Sequence, residues 1–128
     1  MSPRSEEFMA EARDRLAAAR ASLASGFPPA AVSLAYYAML YAARAALSEE
    51  NRYAKTHSGT WQLFGESFVN TERFERQLFS DARDTLELRL GADYEAKHVQ
   101  RETAKAVVEL ATRFVSVIET LYPPESPS

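Results

Sequence analysis

Between residues 4 and 24, Phe8, Ala12, Leu16, Ala19 and Leu23 recur at steps of four, four, three and four, which draws a single apolar stripe down a helix. Ser25-Gly26 closes that helix, since glycine accepts the left-handed cap conformation, and Pro28-Pro29 suit the first turn of the next. The second helix, reaching to about residue 48, is apolar nearly all round. Its alanines alternate with Tyr36, Tyr37, Met39, Leu40, Tyr41 and Leu47, the pattern of a central, buried helix, with Arg44 as its odd charged member. A buried tyrosine brings an apolar ring and a hydroxyl that needs a partner.

Residues 49–58 read as a loop, and Thr56 or Ser58 can cap a short third helix carrying Trp61, Leu63, Phe64 and Phe68. Thr71 is positioned to cap a fourth, with Phe74, Leu78, Ala82 and Leu86 at four-residue steps and a weakening expected at Gly91. A fifth stripe through Ala104, Val107, Val108, Ala111, Phe114, Val115, Ile118 and Leu121 is stopped by Pro123-Pro124. No segment alternates with the period of a strand. The expectation is an all-α, five-helix, up-and-down antiparallel bundle over residues 1–122, with a disordered tail at 123–128.

Composition narrows the chemistry. A chain of 128 residues, 46% hydrophobic, can bury one core without staples. With no cysteine there is no disulfide, thiolate metal site or thiol nucleophile. The charged N-terminal region and the lack of a run near the roughly 18 apolar residues of a membrane span lead to the expectation of a cytoplasmic protein without membrane attachment. A net charge of −3 and a pI of about 5.4 mean that any contact with a polyanion must use a local patch. No glycine-rich phosphate loop is present, and the histidine spacing does not suggest a metal site or a cofactor.

Three features stand apart. Lys55-Thr56-His57-Ser58-Gly59 sets a cation, two hydroxyls and an imidazole before a helix start, where backbone N–H groups favour anions; it is also a sequence that can simply cap itself. Arg89 lies seven positions after Ala82 and eleven after Leu78, close to the inward stripe, so it needs either a counter-charge such as Asp93 or an anion site open to solvent. His98 follows Tyr94 by four; His57 and His98 are the two side chains whose unperturbed pKa suits acid–base chemistry near neutrality.

Taken as a set, the run from Leu34 through Tyr36, Tyr37 and Arg44 to Leu47, the Lys55–Gly59 segment followed by Phe64 and Phe68, and Glu87-Leu88-Arg89 with Ala92-Asp93-Tyr94 resemble the HEPN family, in its branch of short stand-alone prokaryotic proteins. The resemblance implies a five-helix bundle, a homodimer, and a cleft for nucleotide or RNA. It also implies a partner: many members are encoded beside a minimal nucleotidyltransferase, as a toxin–antitoxin pair. In members that cut RNA, an arginine that steadies the phosphate is followed four to six residues later by a histidine that helps activate the ribose hydroxyl. Here Tyr94 stands where that histidine would be, and His98 lies beyond the spacing. The resemblance thus implies a binding module using Arg89, Asp93 and Tyr94 with Lys55, Thr56, His57 and Ser58. The rivals are a metal-independent endoribonuclease in which Arg89 acts with His57 or His98, and a structural helical subunit.

Overall fold

The described residues of the chain form five α-helices: α1 (Pro3–Ala24), α2 (Pro28–Glu49), α3 (His57–Phe64), α4 (Arg76–Tyr94) and α5 (Arg101–Leu121). This is a computed structural model; it describes residues 1–94 and 99–123, and for residues 91–94 the backbone only. Among the described residues there is no strand, and the architecture is the all-α bundle that the periodicity predicts.

Each boundary has a local cause. The Ser2 hydroxyl accepts from the Ser5 N–H at 3.2 Å to cap α1. Gly26, at φ 84°, ends it with a paired closure: Phe27 N–H donates to Ser22 O and Gly26 N–H to Leu23 O. Asn51, at φ 56°, repeats the device after α2, where Arg52 N–H donates to Leu47 O and Asn51 N–H to Ser48 O.

Helix α2 is the axis. It packs against α1, α3, α4 and α5, and Ala31, Ala35, Ala38, Ala42, Ala43, Ala45 and Ala46 are all fully buried, so neighbouring backbones can approach closely. By length and composition α2 is apolar enough to cross a bilayer, although no uninterrupted apolar run reveals it in the sequence. Burial of 67% of that stretch within the bundle accounts for its character as a core helix.

The segment between α3 and α4 differs from expectation. Helix α3 runs into a π-helical turn, Gly65–Val69, and α4 begins only at Arg76. Thr71 is therefore not a cap: its hydroxyl donates back to Ser67 O at 2.8 Å. Phe74 precedes α4 and is buried between Phe64 and Phe114, with ring centroids 5.0 and 4.9 Å away. Gly65 admits this aromatic cluster, because a Cβ there would stand 3.2 Å from the Phe79 ring. Nor does Gly91 break the fourth helix, which continues to Tyr94. At one end of the bundle Arg73, Glu50 and Tyr122 join three segments; Arg73 donates to both partners, and the Tyr122 hydroxyl donates to Glu50 Oε1 at 2.9 Å.

Candidate functional site

The apolar character of α2 is interrupted on one face by Tyr36, Tyr37 and Arg44, whose spacings of eight and seven residues are two helical turns. Helix α3 meets that face with His57, its first residue, and Trp61. The position of His57 follows from the cap before it: Thr56 Oγ1 accepts from the Gly59 N–H at 2.9 Å. Glycine at 59 permits this, since a Cβ there would lie 2.7 Å from that oxygen. Helix α4 supplies Arg89 from its half-buried side.

A hydrogen-bonded chain runs through the centre. Trp61 Nε1 lies 3.0 Å from the Tyr36 hydroxyl, which lies 3.2 Å from His57 Nδ1. The indole N–H can only donate, so the Tyr36 oxygen accepts it. The phenol proton is satisfied if it goes to Nδ1, the other polar atom at hydrogen-bond distance from that hydroxyl among the described residues. Tyr36 is fully buried, and an unmet hydroxyl there would be costly. In that arrangement the neutral imidazole carries its proton on Nε2.

Two guanidinium groups flank the chain. Arg89 donates from Nη2 to the Tyr37 hydroxyl at 2.9 Å and sits 4.8 Å from the centroid of that ring and 6.0 Å from that of Tyr36. Arg44 donates from Nη2 to the Lys55 carbonyl at 3.2 Å and lies 5.8 Å from the Tyr53 ring centroid. Its Nε is buried with no hydrogen-bond partner, and among the described residues no carboxylate lies within ion-pair distance of it.

The electrostatics follow from this arrangement. Burial, then the charges of Arg44 and Arg89, holds the His57 pKa below its ordinary 6.5, so the ring is neutral at pH 7. Burial raises the Tyr36 pKa above 10.0 against the opposing pull of the Trp61 hydrogen bond and the two arginines, so the phenol keeps its proton. The result is a partly buried cluster in which two guanidinium charges act on a neutral imidazole among aromatic rings.

Of the residues singled out in the sequence, His57 and Arg89 meet here. Thr56 serves as the cap, while Lys55 and Ser58 are exposed, with Lys55 contributing its carbonyl to Arg44. The side chains of Asp93 and Tyr94, and all of His98, lie outside the described residues. Sequence reasoning missed Arg44, Tyr36, Tyr37 and Trp61 as site residues; the signal was a lone charge two turns from a tyrosine pair on an apolar helix. Among the described residues, no cluster of three or more acidic or histidine side chains could hold a metal.

The HEPN domain family model matches residues 5–121. The chain belongs to the HEPN family. It is 32% identical to a UPF0332 protein of Gloeobacter violaceus, over 91% of this chain and 94% of that protein. Two proteins of Methanocaldococcus jannaschii, each carrying the name "Putative toxin", are similar as well. One is 29% identical over 87% of this chain and 76% of its own length, the other 32% identical over 84% and 81%. In this HEPN chain most of the packing is carried by α1, α2 and α5, and the face of α2 with Tyr36, Tyr37 and Arg44 meets His57 of α3, Arg89 of α4 and the segment before α3.

Proposed function

We propose that this HEPN chain binds the phosphate of a nucleotide or RNA between Arg44 and Arg89, with the His57 Nε2–H as a third donor. In this reading it works in the cytoplasm as a homodimer and as one component of a toxin–antitoxin-like pair with a nucleotidyltransferase. The observation that carries the phosphate site is Arg44: a half-buried guanidinium with a buried, unmet Nε–H, whose charge acts on His57 together with that of Arg89, calls for an anion. Arginine suits phosphate better than lysine does because its planar fork donates two hydrogen bonds at once. The toxin role draws on the names of the two archaeal relatives, and the pairing on the family resemblance.

The imidazole tautomer favours binding over RNA cleavage by His57. With Nδ1 accepting from Tyr36 and the proton on Nε2, neither nitrogen is free to accept one. A charge-assisted hydrogen bond contributes about 1.5–3 kcal/mol, so Arg44→Ala or Arg89→Ala should weaken phosphate-ligand binding by about ten- to 150-fold. Titration of the purified protein with ATP and short RNAs at two salt concentrations tests this. If neither ligand binds at low salt, or if both variants bind as wild type does, the phosphate site is wrong. Co-expression and pull-down with a nucleotidyltransferase encoded beside the gene tests the pairing, which fails if the two do not associate.

A further inference from the structure

Beside the phosphate site lies a cavity of about 360 Å³ bordered by Arg4, Ser48, Asn51, Arg52 and Tyr53. The left-handed Asn51 that closes α2 turns the chain so that Arg52 and Tyr53 follow on its rim. Tyr53 is 49% exposed, an unusual state for a large aromatic side chain in this chain. Its ring centroid is 5.0 Å from the Arg4 guanidinium carbon and 5.8 Å from that of Arg44. Arg44 thus belongs to both places: one side meets Tyr53, and its charge reaches His57 in the phosphate site. The acid in the cavity wall, Glu49, is already engaged, with Oε2 accepting from the Ser2 N–H and the Ser5 hydroxyl.

A half-exposed aromatic ring with two cations over it offers what a nucleic-acid strand needs, because every base has a face to stack and every linkage has a charge to neutralise. A lone phosphate would use the arginines and have no use for the ring. We infer that the Tyr53 cavity is a second subsite, so that the protein takes single-stranded RNA of two or more nucleotides in preference to a mononucleotide. One phosphate sits between Arg44 and Arg89. The neighbouring base stacks on Tyr53, and the next phosphate meets Arg4 and Arg52. This rests on the phosphate site proposed above and extends it in one direction along α2.

The test is fluorescence anisotropy with a labelled, unstructured ten-nucleotide RNA, alongside calorimetric titration with ATP, on the full chain. Wild type should bind the RNA more tightly than ATP. Tyr53→Ala should weaken RNA binding about 5- to 150-fold, the stacking of one base expressed as affinity, and change ATP binding less than twofold, whereas Tyr53→Phe should bind as wild type does. Arg4→Ala and Arg52→Ala should each lower the slope of log K against log salt by about 0.7. Unchanged melting temperatures for these surface variants keep folding out of the comparison. The subsite is overturned if Tyr53→Ala binds RNA as tightly as wild type, or loses RNA and ATP alike. If Arg89→Ala keeps full affinity for both ligands while Tyr53→Ala loses RNA, the phosphate site falls and the Tyr53 subsite stands. Failure of wild type to bind either probe overturns both.

Discussion

Replacing Tyr36 with phenylalanine removes one oxygen atom and disconnects two other groups. Tyr36 is fully buried and the new ring fills the same space, so the hydrophobic contribution is nearly unchanged. What changes is Trp61, 2% exposed, whose indole N–H loses the oxygen 3.0 Å away while buried from bulk solvent. Leaving a buried donor unmet costs about 1–3 kcal/mol. In a domain of this size that should lower the melting temperature by roughly 3–6 °C per kcal/mol. Urea unfolding should show a lower midpoint with an unchanged m value, since the surface exposed on unfolding is the same. Because the chain has a single tryptophan, its indole N–H gives one isolated resonance, which should move upfield as the hydrogen bond is lost. A cycle with Trp61→Phe should then show coupling of about 0.5–3 kcal/mol between the two positions. A Tyr36→Phe variant within about 0.5 kcal/mol of wild type, with an unmoved indole resonance, would refute the hydrogen-bonded chain and the histidine tautomer deduced from it.

Further tests concern charge and capping. The folded-state pKa of His57 is depressed, so the unfolded chain takes up the proton first as pH falls. The stability contributed by the neutral ring is therefore complete above about 6.5 and declines as pH drops below it. Denaturation midpoints measured from pH 8 to pH 5 should show this decline, and His57→Gln should flatten it; an equal slope in the variant would assign the effect elsewhere. A bound phosphate should neutralise the two arginines that depress the His57 pKa, so saturation with ligand should raise it, visible as a shift in the imidazole proton titration by NMR. No movement would place the ligand away from His57. Thr56→Ala should cost about 0.5–2 kcal/mol by removing the α3 cap. Gly59→Ala should be more harmful in wild type than in that background, where the oxygen its Cβ meets is gone; equal effects in the two backgrounds would refute the steric account.

Helices α1, α2 and α5 were legible because each carries a burial pattern long enough to average out local accidents. Ala12, Leu16 and Ala19 of the first stripe are buried, as is every residue predicted for the last stripe from Ala104 to Ile118. The start of α4 was misread because Phe74 sits four residues before Leu78 by coincidence. It packs from a turn whose path is set by the π-helical segment and by Glu72 at φ 62°. Neither leaves a periodic trace. A weakening was expected at Gly91, yet the helix continues to Tyr94, and glycine costs a helix only about 1 kcal/mol. The site was half visible. Arg89 betrayed itself by lying on an inward stripe, but the path from Trp61 through Tyr36 to His57 joins two helices and depends on ring orientation, which spacing within one helix does not encode.

The acidic balance of the whole chain and the two guanidinium charges act over different distances. A net charge of −3 opposes the approach of a polyanion from afar, yet at about 0.1 M salt charges more than roughly 10 Å away are largely screened. At that ionic strength a strand touching Arg44 and Arg89 feels those two charges far more than the acidic residues on remote faces. At low salt the remote charges are felt again and oppose the local attraction. Affinity should therefore rise less steeply on dilution of salt than the number of arginine contacts alone would dictate. In the proposed reading, such a chain would hold phosphate by contact and resist coating by bulk nucleic acid, which would suit a component that must engage one ligand or partner among many polyanions.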